Sequence, residues 1–162
     1  MTTVQTMGWH DAERDGRVWI FVGLGAVLVI AGGLVAAVNS AAPFAHGSWL
    51  AAYLVLVGGV AQVGLGAGRL AVAAPVPSAR LWRLQVVGWN AGNAAVIVGV
   101  LADSTVTVVA GSAPLLIALG AFVVGAQASW ARARARALAY DAFALMLAIS
   151  VVIGCFLSDP AS

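Results

Sequence analysis

Residues 43–69 read PFAHGSWLAAYLVLVGGVAQVGLGAGR, and this stretch decides the fold class of the chain. His46 stands near its start and Arg69 ends it, with no acidic or basic side chain between them. An α-helix needs about twenty consecutive apolar residues to cross the hydrocarbon core of a bilayer. The stretch therefore predicts a transmembrane helix that carries a histidine at one end.

The composition extends this prediction to the whole chain. Of 162 residues, 62% are hydrophobic and 9% are charged, whereas soluble domains have about 25% charged residues. Lipid is therefore the expected main solvent of a single membrane domain. One cysteine excludes an intrachain disulfide framework, and we expect no cleavable signal peptide before the first apolar segment.

We expect an all-α bundle of five transmembrane helices. The predicted spans cover about residues 18–38, 49–68, 82–101, 106–128 and 138–157, between a cytoplasmic polar tail over 1–17 and an outer tail over 158–162. Pro75 and Pro77 exclude helix from the loop after the second span. Asp103 and Ser104 are predicted to form the tight turn between the third and fourth spans.

The basic residues predict the orientation of the chain. All of them are arginines, which stand in the N-terminal tail and in the loops after the second and fourth spans: Arg14, Arg17, Arg69, Arg80, Arg83, Arg132, Arg134 and Arg136. These segments lie on one side of a five-helix chain, and the positive-inside bias makes that side cytoplasmic. This pattern is typical of insertion into the cell membrane as a multi-pass protein, with no indication of nucleic-acid binding. It places the N-terminus inside, the C-terminus outside and His46 at the outer end of the second span.

Polar side chains inside the apolar spans are the candidates for special roles, because they need partners in hydrocarbon. Asn90 and Asn93 share one face of the third span, where Gly88 and Gly92 form a G-x-x-x-G pattern that permits close helix packing. Interhelical hydrogen bonding is one interpretation of the two asparagines. A polar lining for a ligand or an ion path is the other.

A second polar group falls in the cytoplasmic half of the spans, and it is interpreted as structural: Gln62, Gln85, Gln127 and Asp141. Asp141 lies about one turn into the last span, where the helix N-terminus favours an anion. It is also within reach of the arginines of the preceding loop, Arg132 among them. A structural ion pair is predicted there, with a proton-relay carboxylate as the alternative.

His46 has three interpretations. It is a satisfied interfacial histidine, a metal or haem ligand through an imidazole nitrogen, or a pH-responsive group at the outer surface. Cys155 is predicted at the same outer end, so a His46/Cys155 metal site is a further hypothesis. No nucleophile–base pair accompanies them, and the sequence does not indicate an enzymatic reaction of its own.

The second and third spans resemble part of a known family. The residues that carry the resemblance are His46-Gly47-Ser48-Trp49, Gly58-Gly59-Val60 with Gly64, and Trp89-Asn90-Ala91-Gly92. They are similar to the haem-ligating second helix, and to a stretch of the next helix, in haem-copper oxidase subunit I and its smaller NnrS-type relatives. The further histidines that those oxidases use for a second haem and copper have no counterpart here, so an oxygen-reducing centre is not expected.

The resemblance implies a bound haem with His46 as one axial ligand. The other cofactor-binding residues that it implies are Trp89, Asn90, Asn93 and Met146. The second axial ligand would be Met146, Cys155, a second copy of the chain or a partner subunit.

Two function classes follow. One is a small haem-associated membrane protein that acts in electron transfer or gas sensing. The other is a non-catalytic accessory subunit of a membrane complex or a small oligomeric transport component. In both classes the partners are the lipid bilayer and further protein chains, as a homo-oligomer or a larger complex.

Overall fold

Helices make up all the regular structure that is described. The computed structural model describes the backbone of residues 3–131 and 134–157, and the side chains of residues 16–127, 129–131 and 134–156. The elements are α1 (Thr3–Ala41), α2 (Gly47–Tyr53), a π-helical segment (Leu54–Ala61), α3 (Gln62–Ala71), α4 (Ala79–Leu101), α5 (Thr105–Ala126), a short 3-10 turn (Gln127–Ser129) and α6 (Arg134–Leu157). The predicted all-α fold is confirmed.

Five stretches of the described chain are long and apolar enough to cross a membrane: Gly16–Ala41, Gly47–Ala71, Ala79–Leu101, Thr105–Ala126 and Arg134–Phe156. The second of these joins α2, the π-helical segment and α3, and is called span two below. On α1, Val27, Ile30 and Leu34 are 62%, 64% and 65% exposed. Lipid contact explains this exposure, since hydrocarbon tails are as apolar as the side chains.

Two helices begin earlier than predicted. α1 already runs from residue 3, so the tail predicted over 1–17 is mostly helical. No proline interrupts it, and Gly8 and Gly16 each cost only about 1 kcal/mol relative to alanine. α4 starts before residue 82 because Ser78 caps it, its Oγ accepting a hydrogen bond from the Leu81 N–H at 3.3 Å.

Span two contains a π-helical segment over Leu54–Ala61 that hydropathy does not reveal. Such segments are rare and are often found at functional sites. Gly58 and Gly59 lie within it and are both buried. A Cβ on Gly59 would lie 3.0 Å from the carbonyl oxygen of Gly25 on α1. The widened turn thus lies where span two packs closely against α1.

Glycines also hold α4 and α5 together. A Cβ on Gly92 would lie 2.9 Å from the carbonyl oxygen of Gly111, and one on Gly88 would lie 3.1 Å from that of Pro114. Gly88 and Gly92 form the G-x-x-x-G pattern of α4, and its predicted role in close helix packing is confirmed. The helix that packs against it is α5. α5 continues through Pro114 without a break.

The buried core connects the helices. Phe21 of α1 and Phe122 of α5 meet edge to face, with ring centroids 5.3 Å apart. Leu65 and Trp89 are fully buried beside them in the same cluster. The Tyr140 hydroxyl donates a hydrogen bond to the Leu65 carbonyl oxygen at 3.0 Å, which attaches α6 to span two.

Three arginines fix the loop between span two and α4. They donate hydrogen bonds to backbone carbonyls of the loop and of the last residue of α3, in the pairs Arg17–Pro77, Arg69–Pro75 and Arg136–Ala71. This end of the bundle is called the arginine end, and the opposite end, with His46, the histidine end. The arginines that were predicted only to orient the chain therefore also hold its longest inter-helix loop in place.

Candidate functional site

A cavity of about 640 Å³ opens at the histidine end between span two, α4, α5 and α6. Its volume falls within the roughly 300–1,000 Å³ of typical small-molecule sites. Most of its wall is apolar and includes Val57, Val96, Leu115, Leu147 and Val151. An apolar molecule would therefore find most of its surface matched here.

A histidine and a carboxylate face each other in this cavity. His46 Nε2 lies 3.2 Å from Asp103 Oδ1, and the two side chains are 38% and 83% exposed. Both residues have left-handed backbones, with φ of 61° and 48°. For an L-residue that conformation costs roughly 1–2 kcal/mol. The pair joins the turn before span two to the turn between α4 and α5.

The turn that presents His46 is braced by the end of α1. The Asn39 side-chain amide donates a hydrogen bond to Ser48 Oγ at 3.1 Å, and its oxygen accepts one from the Phe44 N–H at 3.2 Å. Gly47 packs so closely against Asn39 that a Cβ there would collide with the amide. These contacts fix the backbone of the turn that carries His46 at the start of span two.

Aromatic side chains form one wall of the cavity. Trp49 and Tyr53 stack with centroids 4.9 Å apart and ring planes 29° apart. The Tyr53 hydroxyl donates a hydrogen bond to Asn93 Oδ1 at 2.8 Å, which connects span two to α4. Trp89 also lines the cavity, although it is completely buried. These flat faces suit a planar apolar ligand.

The opposite wall carries a short hydrogen-bonded chain. The Cys155 thiol donates to Ser112 Oγ at 3.1 Å, and that hydroxyl donates to the Val108 carbonyl oxygen at 2.9 Å. Cys155 and Ser112 both line the cavity. A sulfur and a hydroxyl are thus among the polar groups that α6 and α5 present to a ligand, together with Ser150 and Thr105.

The structure brings together some of the predicted ligand residues. His46, Trp89 and Cys155 line one cavity, as expected if they serve one site. Asn93 lies behind Tyr53 and donates to the Trp89 carbonyl oxygen within its own helix, at 2.8 Å. These contacts agree with the structural interpretation of Asn93, which makes an interhelical bond.

Asn90 and Met146 are not among the residues that line the cavity. The Asn90 side chain donates to the Val86 carbonyl oxygen of its own helix at 2.9 Å. Met146 is 55% exposed on α6. No group of three His, Cys, Asp or Glu residues suited to a metal ion occurs within the part of the chain that the structure describes.

The four polar residues that were predicted to be structural differ in their burial and hydrogen bonding. Gln62 and Gln85 are fully buried, whereas Gln127 is exposed in the 3-10 turn. Asp141 Oδ2 accepts a hydrogen bond from Trp130 Nε1 at 2.9 Å. Arg132, its predicted ion-pair partner, lies outside the described residues.

Asp103 and Tyr53 are the main cavity residues that the sequence does not single out. Asp103 is the acid of the turn after the third span, and counting spans places that turn at the same end as His46. Tyr53 follows His46 by about two helical turns. Both signals are present in the sequence, but neither shows that span two and the α4–α5 turn are neighbours.

The fold and the cavity define a multi-pass helical membrane protein with a ligand-sized cavity at one end. Comparison with known proteins adds no family name: no family model, curated protein or solved structure matches the chain.

Proposed function

We propose that this protein binds a flat, largely apolar small molecule in the cavity at the histidine end, and that haem is the specific candidate. One observation carries the proposal: an apolar, aromatic-lined cavity of about 640 Å³ contains a histidine held against a carboxylate. The arginine pattern favours an orientation in the cell membrane with this cavity on the outer side.

The residues on the lining suit haem in three respects. The ligating histidines of metal sites usually donate their other ring N–H to a carboxylate or carbonyl, which fixes the ring and raises its basicity. With Nε2 of His46 directed at Asp103, Nδ1 is the nitrogen that would bind iron. The stacked Trp49 and Tyr53 offer an aromatic face for the macrocycle, and the cavity volume suits a ligand of drug size.

Haem bound here would supply reversible electron transfer or gas binding. This chain's residues would hold it and shield it from water. Cys155 is the residue within the cavity that could complete the coordination, because thiolate is an established haem ligand. Met146 is a less suitable partner, since it lies off the lining.

The runner-up is a non-catalytic role as an accessory subunit or a small oligomeric transport component. The observation that favours it is a set of glycines at which an added Cβ would have no atom of another helix within 4 Å: Gly16, Gly23, Gly33, Gly120 and Gly154. Small residues on exposed faces allow another transmembrane helix to approach closely. In that role the purified protein would migrate as an oligomer and bind no haem.

The test is an absorbance titration of the detergent-purified protein with hemin. Wild type should develop a Soret band with one haem per chain at saturation. His46→Ala should lose that band or weaken hemin binding at least tenfold. His10→Ala, which removes the chain's other histidine, is the matched control and should behave as wild type. A wild-type titration indistinguishable from free hemin in detergent would refute the haem proposal.

A further inference from the structure

A second, much smaller cavity lies at the arginine end and comes within about one helical turn of the first. Its volume is about 10 Å³, close to the minimum for one water molecule. Gln85 lines this small cavity and Trp89 lines the large one. Because four residues of α-helix rise about 6 Å, the barrier between the two cavities is thin.

Buried polar groups without hydrogen-bond partners among the described residues lie on span two and α4 between the residues that line the two cavities. Gln62 lies along span two between Val57, which lines the large cavity, and Arg69, which lines the small one. Gln62 is 0% exposed, and neither of its amide atoms has a partner among the described residues. Gln85 Oε1 and Trp89 Nε1 are unpaired in the same way.

Such groups are costly in a dry interior, and nearly all buried polar atoms in proteins hydrogen-bond to the protein or to ordered water. Gln62 lines neither cavity, but it lies on span two between residues that line each of them, so its amide needs a hydrogen-bonding occupant in the interior between the two. Polar side chains inside a membrane bundle often mark the path of a solute.

We propose that the two cavities are the ends of one passage through the bundle, closed at Gln62, Gln85 and Trp89, for a small neutral molecule that both donates and accepts hydrogen bonds. Water and urea are molecules of this class. The inference goes beyond ligand binding in the large cavity and does not depend on haem.

The chemistry of the barrier selects this class of solute. The unpaired atoms include donors, Gln62 Nε2 and Trp89 Nε1, and acceptors, Gln62 Oε1 and Gln85 Oε1. A neutral molecule with both functions satisfies both kinds. Arg17 and Arg69 line the small cavity, and their fixed positive charge disfavours cations.

Span two supplies the part that could open the barrier. Its π-helical segment ends directly before Gln62. Relaxation of a π turn to α-helix shifts the following residues by one position, which rotates them by about 100°. Such a shift would reorient the Gln62 amide within the bundle without unfolding the helix.

The test is the permeability of proteoliposomes, measured by stopped-flow light scattering after osmotic steps in sucrose and in urea. We expect wild type to raise water or urea permeability at least threefold over protein-free vesicles. Gln62→Leu should lower it to the protein-free value. Gln127→Leu, the same change at an exposed glutamine, should leave it unchanged. Wild-type vesicles no more permeable than empty ones would overturn the proposal, as would flux of chloride without flux of water or urea.

A second measurement covers the case in which Gln62→Leu does not fold. A bulky maleimide attached to wild-type Cys155, which lines the large cavity, should block the flux, and Cys155→Ser should be insensitive to the reagent. Unchanged flux in fully labelled wild type would contradict the passage. Flux is measured on haem-free protein, because haem in the large cavity would close the passage. Hemin binding is measured separately by absorbance. Failure of the haem proposal therefore leaves the flux result intact, and a negative flux result leaves the haem proposal intact.

Discussion

Two adjacent glycines of α1 allow a sharp test of the packing between α1 and span two. Gly32 faces span two, where an added Cβ would lie 2.8 Å from the Ala51 carbonyl oxygen and 2.7 Å from Val55 Cγ2. Gly33 has nothing within 4 Å of the same position. Gly32→Ala and Gly33→Ala therefore make the same chemical change in two opposite environments.

The magnitude follows from the contacts. Both variants gain the same helix propensity of about 0.8–1 kcal/mol over glycine, so the difference between them isolates the clash. Because a backbone oxygen cannot rotate away, the overpacking cost at Gly32 should be about 1–3 kcal/mol. We expect Gly32→Ala to be less stable than Gly33→Ala by that amount, and Gly33→Ala to match or exceed wild type.

The assay is reversible unfolding in mixed detergent micelles with increasing SDS, followed by far-UV circular dichroism. Equal free energies of unfolding for the two variants, or the reverse order, would refute the close approach of α1 to span two. A loss of helix in both variants before SDS is added would show that the α1 glycines serve another purpose.

The other predictions concern the cavity and the orientation. Tyr53→Phe removes the interhelical hydrogen bond to Asn93 and should lower the free energy of unfolding in SDS by about 0.6–2 kcal/mol. Asn90→Ala breaks a hydrogen bond within one helix and should lower that free energy by less. A larger loss of stability in Asn90→Ala than in Tyr53→Phe would contradict the bonding pattern. Asp103→Asn removes the charge of the exposed carboxylate that faces His46, in a pair worth about 0.2–1 kcal/mol. The thermal midpoint should therefore stay within a few degrees of wild type, while the affinity for hemin falls. Unchanged affinity for hemin would exclude Asp103 from the site. In intact cells a membrane-impermeant maleimide should label Cys155 from outside, whereas labelling that appears only after lysis would reverse the predicted orientation.

The architecture was predictable because hydropathy depends on local composition. Each predicted span is present, and the residues that end the spans, such as Pro75 and Pro77, act through local backbone restrictions. The predicted polar tail over 1–17 is mostly helical in the structure, and the charged residues in it, such as Asp11 and Arg14, do not interrupt α1. Charge decides where a helix leaves the hydrocarbon, but it does not break the helix.

The cavity was only partly predictable. His46, Trp89 and Cys155 were singled out and lie on one lining, since counting spans places His46 and Cys155 at the same end. The pairing of His46 with Asp103 depends on which turns are neighbours, and that is set by glycine contacts between helices. The amphipathic pattern that would reveal such contacts is weak in a chain whose helices also face lipid.

The unpaired state of the buried Gln62 amide among the described residues could not be predicted from the sequence either. A glutamine in an apolar helix predicts a hydrogen-bond partner, and neither amide atom of Gln62 has one among the residues that the structure describes. Hydropathy does not reveal the π-helical segment that precedes it, because hydropathy depends on composition and not on the hydrogen-bonding register of the backbone.

The most direct test of the central claim, that the histidine-end cavity is a ligand site, is a footprint of Cys155. This native cysteine lines the cavity, so its alkylation rate in detergent reports on access without any engineered change. We predict that saturating hemin slows the alkylation of Cys155 at least tenfold in wild type and leaves the rate unchanged in His46→Ala. An alkylation rate that hemin does not alter in wild type would contradict the assignment of this cavity as the haem site.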